Sequence, residues 1–245
     1  MPQATAVHSV DSLREALTRH GFAFAPGITV QQLLRSFAPL SDWESFAASW
    51  TNLALDRYMA DGGRYRRRRY AAYEVTLDGS IARRPHQPHY QALDYNPLNG
   101  GIARWFDPIL PVVGSGPSMN AILRFGHSLF DSISRSPRGW NVEVHQFRIE
   151  ARADEQGRPT PEGMHRDGVD FALVLLIGRS NVARGTTSIQ ALDGERLGTF
   201  TLTDPFDAAI VDDARVCHGV TLVEPIDPGR PASRDVLVVT FAKKV

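Results

Sequence analysis

The sequence predicts a mainly β fold with N-terminal helices: a double-sheet jelly roll or small barrel with the helices packed on it. Three observations lead there. From about Trp140 onward, "WNVEVHQFRIEA", "FALVLLIG", "TSIQAL", "GTFTL", "AAIVDD", "RVCHGVTLVEP" and "DVLVVTFA" are short runs rich in β-branched and aromatic residues, separated by Gly, Asp, Pro and Asn. Before that point, apolar residues recur mostly at three- and four-residue intervals, the spacing of a helix face. With 245 residues, 42% of them hydrophobic and 22% charged, the chain has the material for a sizeable core. No linker, internal repeat or low-complexity segment divides it. Residues 1–245 therefore read as a single domain, with 1–139 as helical and loop-rich support and 140–245 as the jelly-roll core.

Taken in order, "DSLREALTRHG" reads as a first helix, with Asp11 as N-cap, Leu13, Ala16 and Leu17 on one face, and Gly21 as its stop. "TVQQLLRSFAPL" and "SDWESFAASW" read as two short helices separated by Pro39. "RYAAYEVTL" alternates as a strand does. The Pro-, Gly- and Asn-rich stretch from Asp78 to Pro117 reads as a long ordered loop. "PSMNAILRFGHSLFDSIS" spaces Ile122, Phe125, Leu129 and Ile133 as an amphipathic helix.

Composition excludes several function classes. Lys plus Arg and Asp plus Glu number 27 each, which gives no electrostatic reason to expect nucleic acid or an anionic membrane as partner. The run "RYRRRRY", Arg64 to Tyr70, alternates basic and aromatic residues. It stands alone, and it reads as arginines pairing with local carboxylates while Tyr65 and Tyr70 pack inward. A single cysteine, Cys217, excludes an intramolecular disulfide and a Cys-based zinc cluster. The N-terminus lacks the basic-then-apolar pattern of a signal peptide, and no apolar run approaches the roughly 18 residues of a membrane helix. The expectation is a cytoplasmic protein.

The chemistry begins in "EGMHRDGVDFALVLLIG". Residues at i and i+2 of an extended segment point to the same side, so His165 and Asp167 share a face with Arg166 turned away. Alone, such a pair is ordinarily a surface turn. A later strand supplies His218, and two neutral imidazoles with one carboxylate form the facial triad suited to non-haem Fe(II) and oxygen chemistry. Such sites commonly chelate 2-oxoglutarate, whose far carboxylate needs a cation. "PGRPASRDVLVVTFA" offers Arg230 and Arg234; Arg234, opening an apolar strand, is preferred for a bidentate guanidinium, and Arg230 reads as a loop residue.

"MHRDGVDFALVLLIGRSNVARGTTSIQ", "PFDAAIVDDARVCHGVTLVEP" and "RDVLVVTF" resemble the bacterial 2-oxoglutarate/Fe(II) dioxygenases typified by L-isoleucine 4-hydroxylase, a family that includes homologues named for biofilm and motility phenotypes. "RYRRRRYAAYEV" and "NGGIARWFDPI" extend the resemblance, which runs from about Tyr65 to Phe241 and is loose over the first 60 or so residues. It implies a double-stranded β-helix, the cupin-like jelly roll, flanked by α-helices. It also implies Fe(II), 2-oxoglutarate and O2 as cofactor and co-substrates, iron ligands His165, Asp167 and His218, and Arg234 as the co-substrate anchor. Related halogenating enzymes carry a small residue where Asp167 stands, so the resemblance implies hydroxylation, of a small molecule and in particular a free aliphatic L-amino acid.

Substrate contacts are expected from Gln146 and Arg148, which alternate along "VEVHQFRIEA" and would look into the jelly-roll mouth, with His145 facing away. His89 and Tyr90, in the long loop, are candidates for a lid. Solvent-facing polar pairs and a purely structural loop are the competing readings. The alternatives on function are an oxygenase of a peptide or modified amino acid on the same scaffold, a redox-silent zinc site, and a non-catalytic metal-binding module with a biofilm or stress role. Oligomeric state is not legible.

Overall fold

The computed structural model describes residues 6–134 and 138–244. Its centre is the strand that ends the chain. β-Strands run β1 Phe22–Ala25, β2 Ala54–Leu55, β3 Arg66–Val75, β4 Ile81–Arg83, β5 Trp140–Ala151, β6 Phe171–Ser180, β7 Val182–Arg184, β8 Thr186–Ala191, β9 Arg196–Thr201, β10 Ala208–Asp212, β11 Val216–Val220, β12 Val223–Pro225 and β13 Ala232–Lys243. Helices are α1 Val10–His20, α2 Gly27–Arg35, α3 Trp43–Ala48 (continued by a 3-10 turn, Ser49–Asn52), α4 Pro111–Gly114 and α5 Pro117–Ile133. β13 pairs antiparallel with β5 on one side and β6 on the other, within a large sheet ordered β1-β10-β6-β13-β5-β3-β2, with β4 on β3. A three-stranded sheet, β11-β8-β9, and the pair β12-β7 form the opposing layer. This is the expected jelly roll with N-terminal helices.

The period of two along β13 divides the two faces of the large sheet. Leu237, Val239 and Phe241 go to the helix side. There they join Val142, Val144, Leu173 and Leu175 in a cluster with Leu13, Leu17, Leu34, Trp50 and the α5 residues Ile122, Phe125, Leu129 and Phe130. Arg234, Val236, Val238 and Thr240 go to the inner side, where they line a cavity between the layers. The register between β13 and β6 shifts at Asp235/Val236, a bulge immediately beside Arg234.

Three expectations need correction. The first half holds more strand than the one expected: "RYAAYEVTL" does form a strand, in β3, which pairs with β5, but β1 also pairs with β10 at one edge of the large sheet. β3 also begins earlier than the alternating run suggested, at Arg66, so the arginines are themselves strand residues. Finally, α1 is capped by Ser9, not Asp11; Ser9 and Ser12 form a reciprocal capping box, and Gly21 closes the helix at φ 78° as expected. Among the described residues no helix is long and apolar enough to cross a membrane.

Candidate metal centre

The site is assembled by backbone pairing. His165 N–H donates to the His218 carbonyl at 3.0 Å and His218 N–H to the His165 carbonyl at 2.9 Å. Such a mutual antiparallel pair puts the two side chains on the same side of the ladder, and the two imidazole centroids are 4.5 Å apart. β11 carries His218, and the loop before β6 carries His165. Asp167 then turns back between them: Oδ1 is 3.7 Å from His165 Nε2 and Oδ2 is 3.7 Å from His218 Nε2. One donor atom from each of the three residues falls within 4.8 Å of the others.

Asp213, in the β10–β11 connection, explains why the chain turns there. Its fully buried carboxylate accepts from the N–H groups of Asp167 (2.8 Å), Gly168 (2.8 Å) and Val169 (3.1 Å). Gly168 takes φ 81°, and a side chain there would collide with the Tyr95 ring. Burial and the nearby Asp167 charge push the Asp213 carboxyl up from its ordinary value, while the three donors oppose this. Arg166 is directed away as expected, donating to the Asp213 carbonyl and lying over Tyr95. We expect Asp213→Asn, which keeps one acceptor oxygen and sets an NH2 donor against the remaining backbone N–H groups, to weaken metal affinity by about 10- to 100-fold, the scale of lost outer-shell support. Metal titration of the folded variant checks this; unchanged affinity would show that the turn holds itself.

The donor chemistry fits a divalent cation. His165 Nδ1 faces the Gly163 carbonyl at 3.1 Å, which leaves Nε2 with the ligating lone pair. Burial opposes protonation of His165, but Asp167 and Glu162 outweigh it and lift the imidazole to about 9. Burial raises the Asp167 carboxyl, but the two histidines dominate and hold it at about 2. Burial, then the charge of His165, depress His218 to about 4. The cluster thus has a negative excess at Nε2 of His165 that a metal ion would neutralise in the proton's place. His218 Nδ1 is buried with no hydrogen-bond partner among the described residues.

A carboxylate acceptor is equally well prepared for. Arg234 is 2% exposed, and its Nε and NH2 have no hydrogen-bond partner among the described residues. It lines the same cavity of about 140 Å³ as the triad, with Val174, Thr187, Ile189 and Val236. Burial, and then Arg179, bring its pKa down to about 10. Arg230 is exposed in the loop before β13.

The structure redistributes the expected substrate contacts. On β5 the cavity face is Glu143, His145, Phe147 and Ile149, so His145 faces in and the alternate residues face out. Gln146 donates to Ser49 Oγ at 2.8 Å on the helix side, and Arg148 forms a bidentate pair with Asp235 at 2.7 and 2.6 Å. Neither reaches the cavity. Tyr90 is 61% exposed and points outward, whereas His89 lines the cavity, its Nδ1 3.0 Å from Glu143 Oε2. The sequence reading missed Glu143, His145, Arg66, Arg68 and Arg104, all on the cavity wall. The alternation of "RYRRRRY" held the signal for two of them: Arg66 and Arg68 turn in, while Arg67 turns out to Glu150 at 2.8 Å.

Comparison with known proteins agrees with this geometry. The family model described as 2OG-Fe dioxygenase matches residues 47–240. A 3(1)-hydroxy-L-isoleucine 4-dioxygenase of Pantoea ananatis is 28% identical, over 93% of this chain and 94% of the relative. An L-isoleucine-4-hydroxylase of Bacillus thuringiensis is 26% identical, over 79% and 83% respectively. The crystal structure of a bsmA homolog from Methylobium petroleophilum PM1 superposes with TM-score 0.87 at 35% identity, covering 99% of this chain and 94% of that one.

Proposed function

The chain belongs to the 2OG-Fe dioxygenase family, and from that membership we propose that it hydroxylates an unactivated C–H bond of a free aliphatic L-amino acid. In this reading His165, Asp167 and His218 hold Fe(II), and Arg234 anchors 2-oxoglutarate. The family uses Fe(II), 2-oxoglutarate and O2; together they supply the oxidant for oxygen insertion, and 2-oxoglutarate leaves as succinate and CO2.

The observation that carries the proposal is the pairing, in one cavity, of a three-donor His-Asp-His cluster with a buried arginine whose donors are unspent. The chain's own contribution is positional. The His165–His218 backbone pair fixes two donors, and Asp213 fixes the turn that brings the third. Arg234 offers a planar fork to the far carboxylate of the co-substrate, setting the direction from which its other end approaches the triad. Val169, Val174, Val211, Val220, Val236 and Val238 line the rest of the space, excluding water and packing against an aliphatic side chain. The amino-acid substrate is supported by the names of the two curated relatives.

The test is a screen of succinate release with Fe(II), ascorbate and 2-oxoglutarate against free L-amino acids, N-acyl derivatives and short peptides. L-Isoleucine, L-leucine or L-methionine should stimulate release and gain one oxygen atom by mass. Stimulation only by N-acyl or peptide compounds would defeat the free amino-acid reading.

A further inference from the structure

The triad and Arg234 leave a second group of buried charges unexplained. Arg66, Arg68 and Arg104 converge on a cavity wall that also carries Glu143 and Glu162, with Asp56 paired to Arg66. Asp56 is committed to Arg66 at 2.7 Å and lies 3.6 Å from Arg68. Arg68 is clamped between the Phe106 and Phe147 rings, 3.6 and 4.4 Å from their centroids, and meets His145 Nδ1 at 2.7 Å. Arg104 is 1% exposed, and among the described residues its guanidinium has a single long bond, 3.4 Å to Gln91 Oε1. The Nε atoms of Arg68 and Arg104 are both buried without partners among the described residues, as Arg234 Nε is. A buried cation with idle donors is costly unless an anion completes it.

His89, Glu143 and His145, which bring their donor atoms within 4.8 Å, suggest a second cation site at first sight. The surroundings argue against it. Arg68 occupies His145 Nδ1, and the charges of Arg68 and Arg104 bear on both histidines. Glu143 is already engaged by Tyr70 Oη at 2.5 Å and His89 at 3.0 Å. This end of the cavity is built for an anion.

That anion is not the one Arg234 serves. Across the sheet the Arg68 backbone is level with Phe147 and Val236, two strands or roughly 10 Å from β13. Phe147, on the strand between, faces the same cavity and packs against the Arg68 guanidinium, so the two arginines enter it from opposite sides of that ring. Glu162 adds the complementary charge: its Oε2 is buried without a partner among the described residues, and its field acts on Arg104. Its Oε1 is 3.6 Å from His165 Nε2, beside the triad. Two guanidinium groups with a spare Nε donor each and a carboxylate with one spare oxygen therefore line one cavity next to the candidate metal position. An α-amino acid carries the matching charges on a single carbon.

We infer that Arg68 and Arg104 form a second anion subsite that takes the α-carboxylate of the substrate, with Glu162 accepting from its ammonium. This rests on the amino-acid reading above and sharpens it. An ester or amide would leave the arginines unsatisfied, and an N-acyl group would leave Glu162 unsatisfied.

The experiment is calorimetric titration of anaerobic protein loaded with Fe(II) and 2-oxoglutarate. The ligands are L-isoleucine, 3-methylpentanoate (no amine), isoleucinol (no carboxylate) and N-acetyl-L-isoleucine. For wild type, removing the carboxylate should weaken binding by about 10- to 100-fold, the value of a charged hydrogen-bond pair. Arg104→Gln or Arg68→Gln should weaken L-isoleucine and 3-methylpentanoate alike while leaving isoleucinol little changed. Glu162→Gln should narrow the gap between L-isoleucine and 3-methylpentanoate. The analogue series needs no variant, so a misfolded Arg104→Gln does not remove the test. Isoleucinol binding as tightly as L-isoleucine would overturn the subsite even if amino acids are hydroxylated. Arginine-dependent binding of 3-methylpentanoate with no amino acid turned over would defeat the substrate reading and leave the anion subsite standing.

Discussion

Asp167→Ala and Asp167→Asn should each lower iron affinity and coupled turnover by more than about 100-fold, because loss of a ligand should exceed the 10- to 100-fold cost of losing its outer-shell support. The carboxylate lies 3.7 Å from both imidazole Nε2 atoms, so it is the piece that joins two histidines into a three-donor face. The asparagine variant keeps the shape and removes the charge. It also keeps the backbone N–H that Asp213 holds at 2.8 Å, so the turn itself should survive. If the charge is what matters, the two variants should behave alike and both retain the wild-type fold by circular dichroism. Full activity in Asp167→Asn would remove Asp167 from the proposed ligand set.

That triad was legible in the sequence for a specific reason. His165 and Asp167 are near neighbours, and His218 sits on a recognisable strand, so only one long-range pairing had to be inferred. Arg234 was legible because a charged residue opening an apolar strand is conspicuous. The cavity wall was harder. Whether Glu143 and His145 or Gln146 and Arg148 face inward depends on a one-residue choice of register, and both sets are polar. The partners that settle it are remote in sequence: Ser49 for Gln146 and Asp235 for Arg148. Arg104 lies in an irregular stretch with no periodicity to give its direction, and it turns inward because its backbone bridges to His89. In the first half the ten-residue β3 was legible from its alternation, but β1 and β2 have only four and two residues, too short for alternation to register, and become strands through tertiary pairing.

Arg234→Met separates stability from function and should move them in opposite directions. In the ligand-free protein Arg234 is a charge held where burial disfavours it, with pKa brought down to about 10 and two donors idle. A depression of that size corresponds to a destabilisation on the order of 3 kcal/mol while the group is protonated. The sign follows from the direction: a cation whose folded pKa lies below its unfolded value costs stability at every pH below the folded value. Neutral pH is well inside that window. Methionine fills similar volume without charge, so the variant should melt at a higher temperature than wild type when no 2-oxoglutarate is present. Adding 2-oxoglutarate with Fe(II) should raise the wild-type melting temperature and leave the variant nearly unmoved, since stabilisation by a ligand requires that it bind. In turnover the KM for 2-oxoglutarate should rise by about 10- to 100-fold, with kcat reduced less at saturation, because the anchor holds ground state and transition state alike. Arg234→Lys should fall between, keeping the charge and losing the fork. A variant that is less stable than wild type and still stabilised by 2-oxoglutarate would make Arg234 a structural residue and send the co-substrate's far carboxylate elsewhere in the cavity.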